Sequence, residues 1–341
     1  MAVSAKKVTS RIFTSLLVVS LVAGCVVAYL HKQQINDHFA AQRFEPTAQI
    51  VTLTDDLRLT EAGHRIFWAS TPTLDASQNF NTQCAGVDHS EEGHILGCYT
   101  AGSIHLFEIN DERLNGIVEV TAAHELLHAT FARLSDGERS SLVKKLNALY
   151  DEMSPNDPEL RQRMEVYSGL SKTAFANELH SVLGTERRDL PEWLERHYET
   201  WFTERGIILD FFDSYHAVFS QLRQRADELE AAMTALRSDV EARSADYDAE
   251  VERFNREWAA FVARNDAFEF SGNPEEFYLL RDDFYSRRDA LGEMMRGLNA
   301  DIERYEQMRT ELLELSELNH ELERQLDSEL APPAPAPTGE V

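Results

Sequence analysis

Apolar positions follow several different spacings along this chain. From Ile12 to Leu30 they form a nineteen-residue run without a charged residue, which at ~1.5 Å rise per residue is long enough to cross a hydrocarbon core. A polar stretch over 31–50 reads as a juxtamembrane connector. Between about 51 and 212 the pattern is mixed. Ser103 to Ile109 is β-branched, aromatic and partly alternating, which predicts a strand, and Val51-Thr52-Leu53-Thr54 is a weaker strand candidate. From Gly116 the period becomes helical and stops at Ser135-Asp136-Gly137. Further helices are expected at about 138–152, 158–169, 172–184 and 191–203. Beyond 207 apolar residues step by four and three: Leu222, Ala226, Leu229, Met233, Leu236 and Val240, then Tyr247 to Phe261. After Ser271-Gly272-Asn273-Pro274 the stepping resumes from Leu291 to Leu322. That spacing predicts a coiled coil folded back on itself as an antiparallel hairpin over 213–330. Residues 331–341, rich in Pro and Ala, read as a disordered tail.

Charge divides the same segments. The chain has 33 Lys plus Arg against 59 Asp plus Glu, a formal net charge of −26. Nucleic acid is therefore not an expected partner, because phosphate binding needs clustered cations. Lys6, Lys7 and Arg11 precede the apolar run, and this basic flank predicts a cytoplasmic N-terminus over 1–11, a single-pass anchor over 12–30 and an extracytoplasmic remainder. Val22-Ala23-Gly24-Cys25 offers the alternative of a lipoprotein anchored at Cys25.

The other two cysteines, Cys84 and Cys98, bracket CAGVDHSEEGHILGC. They could close a disulfide loop in an oxidising compartment. They could instead join His89 and His94 in a Cys₂His₂ zinc site, or remain free thiols.

The chemistry concentrates in Thr121-Ala122-Ala123-His124-Glu125-Leu126-Leu127-His128. Histidines four apart lie on one helix face and can share one Zn²⁺, while the intervening Glu reaches a water there as general base. Ile117, Val118, Val120, Ala123, Leu126, Leu127 and Phe131 make this helix a buried one, in which three polar side chains need partners. The alternative is a pair of core histidines satisfied by hydrogen bonds.

His124-Glu125-x-x-His128 resembles the active-site helix of the zincin metallopeptidases. The resemblance implies an α+β zincin-like catalytic domain over 51–212, with the strand upstream of the helix as the edge that aligns substrate. Phe131 and Leu134 stand where metzincins carry Gly and His, so the gluzincin branch is the one implied, with a Glu from a later helix as third ligand. Glu178, in Asn177-Glu178-Leu179-His180-Ser181, is similar to the ligand helix of thermolysin-like gluzincins. Glu152, Glu165 and Glu186 compete for the role, and Glu178 could alternatively pair with Arg161 or Arg163. Val182 replaces the Asp that orients a zinc histidine in those enzymes. Tyr167 and His180 are candidate oxyanion stabilisers.

The expectation is thus a membrane-anchored zinc metallopeptidase that hydrolyses peptide bonds in a peptide or protein substrate outside the cytoplasm, with a hairpin able to engage a protein partner. The competing expectation is a non-catalytic zinc-binding scaffold whose hairpin mediates protein–protein interaction in the cell envelope.

Overall fold

A computed structural model describes residues 31–85 and 95–329, together with scattered positions between 17 and 29. The chain divides into two compact units. One comprises residues 1–218 and 322–341, the other Phe219–Glu321.

In the first unit three helices, α1 (Lys32–Arg43), α2 (Ala48–Asp56) and α3 (Glu61–Ala69), precede a small sheet. The sheet holds β1 (Thr73–Asp75), β2 (Gly97–Thr100) and β3 (Ser103–Phe107), with α4 (Ser77–Gln83) between β1 and β2. β3 is the central strand, parallel to β1 and antiparallel to β2, with Thr73 and Cys98 both opposite His105. Helices α5 (Ile117–Ala132), α6 (Asp136–Met153), α7 (Pro158–Glu165), α8 (Lys172–Glu186) and α9 (Glu192–Tyr198) follow. Two long helices, α10 (Arg205–Asp266) and α11 (Pro274–Leu326), complete the chain.

The core is organised around α5. Thirteen consecutive or near-consecutive positions from Ile117 to Phe131 are buried, as expected of a helix that is apolar on every side. It packs on α8, on α3, and on β2 and β3. Glycine permits its entry: Gly116 has φ of +101° at the N-cap, and a Cβ there would lie 2.8 Å from the Phe211 carbonyl oxygen.

Several expectations are corrected. The chain is predominantly helical with one three-stranded sheet among its described residues, not an α+β zincin domain behind a transmembrane helix. Among the described residues no helix is long and apolar enough to cross a membrane, so the single-pass anchor over 12–30 and the localisation built on it are not supported. That expectation rests on length, and Thr14, Ser15, Ser20 and Gly24 dilute the run. Much of 12–30 lies outside the described residues, as do residues 1–11, His89, His94 and the tail 331–341. Cys25 is exposed and not disulfide-bonded.

Residues 31–50 are not a polar connector. Asp37 of α1 is buried and accepts hydrogen bonds from Arg133 Nε at 3.1 Å to each carboxylate oxygen. Val51–Thr54 is helical, because Ile50, Leu53 and Leu57 recur at helical spacing and are all buried, which outweighs local β propensity.

The second unit contains most of α10 and α11. They run antiparallel: Arg225 donates to Glu311 at 2.7 Å, Phe254 and Phe284 meet with ring centroids 5.7 Å apart, and Phe261 stacks on Phe277 at 5.4 Å. A short 3₁₀ turn over Glu269–Gly272 reverses the chain near the expected Gly-Asn-Pro turn. Phe261, Phe270 and Phe284 make a separate small core there.

Candidate metal centre

Two helices and one strand build the site. His124, Glu125 and His128 belong to the middle of α5, and all three are buried. The two imidazole rings have centroids 4.8 Å apart, the separation expected one helical turn apart on one face. Glu178 comes from α8, whose N-cap Ser171 accepts a hydrogen bond from the Ala174 amide at 3.2 Å. Glu178 is 1% exposed, so its carboxylate is desolvated and depends on the groups around it.

Those groups are the two histidines. Glu178 Oε2 lies 3.5 Å from His128 Nε2 and 3.8 Å from His124 Nε2. Ligand atoms of His124, Glu125 and His128 also lie within 4.8 Å of one another. Around a tetrahedral ion with bonds of ~2.0–2.1 Å, neighbouring donor atoms stand ~3.4 Å apart. The two measured separations from Glu178 are close to that value, and the donor set of two imidazoles and a carboxylate fits a metal. The buried group of His124, Glu125 and His128 can hold a metal ion.

The electrostatics agree with the geometry. Burial pulls the His128 imidazole down, but the charge and hydrogen bond of Glu178, with a further contribution from Glu125, outweigh it and raise its pKa to about 9. Burial pushes the Glu178 carboxyl up, and His128 with a hydrogen bond from His124 brings it well below the usual carboxylate range. The two shifts together favour a protonated His128 paired with the ionised Glu178 carboxylate.

Close packing sets this arrangement. Gly184 of α8 lies against α5: a Cβ there would be 2.3 Å from Leu127 Cδ1 and 2.9 Å from Tyr198 Cε1. Gly97, the first residue of β2, closes the other side. Its Cβ would lie 2.6 Å from Thr121 Cγ2 and 2.9 Å from Glu125 Cγ. The neighbouring Cys98 is disulfide-bonded to Cys84, which tethers this strand to the end of α4. The disulfide excludes the alternative in which the two thiols ligate zinc.

The remaining sequence candidates fall elsewhere. Arg163 pairs with Glu186 at 3.0 Å and Arg161 donates to the Ser154 carbonyl, so neither is the partner of Glu178. Glu152 and Glu165 are exposed. The Tyr167 hydroxyl accepts from Arg163 Nη1 at 3.3 Å. His180 Nε2 faces His197 Nε2 at 2.9 Å, and burial followed by the charge of His197 keeps it far below its ordinary pKa. β3 is central in the sheet, so it is not the edge strand; the edges are β1 and β2.

Sequence reasoning passed over Ser181. Its hydroxyl lies 3.4 Å from His128 Nδ1 and is fully buried. A hydroxyl accepting the Nδ1 proton leaves the Nε2 lone pair directed at the metal position. The signal was present in the Asn-Glu-x-x-Ser spacing, which puts Ser181 one turn beyond Glu178. Gly97 and Gly184 left no such trace, since their meaning lies in what touches them.

No family model matches the chain, and no solved structure matches it. The site alone carries the functional argument.

Proposed function

We propose that this chain is a zinc-dependent metallopeptidase with a gluzincin-like ligand set. His124 Nε2, His128 Nε2 and Glu178 would hold the ion. The observation that carries the reading is the convergence of Glu178 Oε2 on both histidine nitrogens, at 3.5 and 3.8 Å, from a different helix. Three protein ligands are the mark of a catalytic rather than a closed structural site. Zinc, when bound, supplies Lewis acidity that polarises a scissile carbonyl and lowers the pKa of water.

The chain's own residues do the rest. Ser181 holds the His128 ring in the tautomer that presents Nε2. Glu125, beside the ligands and not needed as one, takes a proton from the attacking water and returns it to the leaving amine nitrogen. Gly97 leaves the Glu125 side chain room to lie against β2 without a clash.

Glu125→Gln tests the assignment. Zinc stoichiometry should stay at that of the parent chain while peptide hydrolysis falls by about 10²-fold or more. Parental hydrolysis in this variant overturns the mechanism.

A second reading, a non-catalytic zinc-binding scaffold, is favoured by one observation: Glu125 is only 5% exposed. The same protein decides it. Zinc bound by the parent chain, with no hydrolysis of unfolded protein substrates or short peptides, selects the scaffold.

A further inference from the structure

Strand β2 is laid along one stripe of α5. Thr121, Glu125, Ala129 and Arg133 stand four apart and so follow one another along the helix. Gly97 and Tyr99, two apart, share one face of β2. A Cβ on Gly97 would meet Thr121 and Glu125, and the Tyr99 hydroxyl accepts from Arg133 Nη1 at 3.0 Å. The same nitrogen donates to the Ala129 carbonyl at 3.0 Å. Glu125 thus lies beneath one end of the strand, 5% exposed, while Arg133 holds the other end.

Arg133 is held in turn by α1. Its Nε donates to both Asp37 carboxylate oxygens, and its Nη2 stands 3.1 Å from Oδ1. Among the described residues of α1, Asp37 alone is buried, whereas Ile35 and Phe39 are 39% and 51% exposed. A helix ordinarily docks through an apolar stripe; α1 instead places a carboxylate at its one buried point. That attachment is conditional in a way that apolar packing is not, because neither charge stays buried without the other. When α1 leaves, the guanidinium loses its counter-charge and turns to water, taking its donor away from Tyr99. Phe44, the residue after α1, meets the Trp68 ring of α3 with centroids 6.0 Å apart, so apolar contact fixes the downstream end of the helix.

We propose that the Asp37–Arg133 pair is a latch: docked α1 holds β2 down over Glu125, and undocking of α1 frees β2 and uncovers that side chain. Uncovering Glu125 bears on hydrolysis through the peptidase function proposed above, on which that part rests. The coupling of α1 to β2 stands on the contacts alone.

Amide hydrogen exchange on the full-length chain tests the coupling. Asp37→Asn should speed exchange across α1 and β2 by at least about tenfold while α8 keeps its parental rate, since a short strand without its packing on α5 opens locally. Tyr99→Phe removes only the hydroxyl, and should speed β2 with α1 at the parental rate. Acceleration of α1 without β2 in Asp37→Asn overturns the latch. So does equal acceleration of α1, β2 and α8, which would make the pair a plain stabiliser of its unit. If Asp37→Asn does not fold, Tyr99→Phe decides alone, and unchanged exchange in β2 overturns the proposal. Peptide hydrolysis is the separate readout. Both variants should exceed the parent by about threefold or more, and parental hydrolysis beside accelerated β2 exchange would overturn the uncovering of Glu125. No hydrolysis by parent or variants, with exchange as expected, would leave the latch supported and remove the peptidase reading.

Discussion

Glu178 is the residue on which the proposed ligand set depends. Its carboxylate is buried and faces two histidines rather than an arginine. Glu178→Ala should reduce bound zinc well below one equivalent, measured by metal analysis after gel filtration, whereas Glu186→Ala should leave it intact. The titration of the pair gives a second expectation, for the metal-free chain. His128, raised from 6.5 to about 9, contributes stability fully below pH 6.5 and loses it as the pH rises through about 9. Glu178, lowered from 4.5, contributes above that pH and loses its contribution as the pH falls further. Chelator-treated protein should therefore have its highest Tm between about pH 4.5 and 6.5 as far as this pair is concerned. On the proposed ligand set a bound metal ion would displace the His128 proton, so the Tm gap between loaded and metal-free protein should widen from pH 6.5 to 9. A flat gap across that range would contradict the ligand role of His128. The motif residues and Glu178 were legible in the sequence because each is a polar side chain at helical spacing inside an apolar segment. Ser181 stood in the same Asn-Glu-x-x-Ser spacing, but its role depends on the approach of its hydroxyl to His128 Nδ1 from another helix, which the spacing does not show.

At the scale of elements, α5 and α8 matter as a pair. Gly184→Ala introduces a methyl group against Leu127 and the Tyr198 ring. Overpacking of this kind costs about 1–3 kcal/mol, read as a lower urea midpoint, and zinc affinity should fall with it because Glu178 moves with its helix. Arg205 reinforces the same helix from outside. Its guanidinium donates to the carbonyls of Gly184 and Arg187 at 3.2 and 2.8 Å, at the end of α8, where cations are favoured. Helix periodicity located α6 and α8 to within about two residues, although Ser135, read in the sequence as part of a stop, is the N-cap of α6, and Ser171 is the N-cap of α8. The strands were harder. Ser103–Phe107 was visible in its β-branched and aromatic residues, but its central position was not, because strand order depends on pairing with β1 and β2, each four residues or fewer. Val51–Thr54 misled for a related reason: four residues show β propensity, and only the longer Ile50–Leu57 window shows the helical burial that prevails.

For the whole molecule, the two compact units should unfold separately. Calorimetry should resolve two transitions, and chelation should lower one of them, that of the unit containing His124, His128 and Glu178. A single transition that shifts as one would refute this division. The four-three spacing made the long helices legible, but it placed their start near 213, whereas α10 begins at Arg205 and the second unit at Phe219. Nor did it reveal that the chain comes back. Leu322 and Leu326 are buried, the Ser328 hydroxyl donates to Asn81 Oδ1 at 2.6 Å, and Asn81 Nδ2 donates to the Ser328 carbonyl at 3.0 Å. The second unit is thus an excursion made from within the first. This contact sets a clock on biosynthesis. Asn81 and Ser328 are 247 residues apart, and at roughly 5–20 residues per second α4 waits about 12–50 s for its last neighbour to be made. The Cys84–Cys98 bond spans only 14 residues, so both of its cysteines are made within about 1–3 s of each other at that rate. A covalent tether between β2 and α4 therefore needs nothing from the far end of the chain, whereas the Asn81–Ser328 contact does.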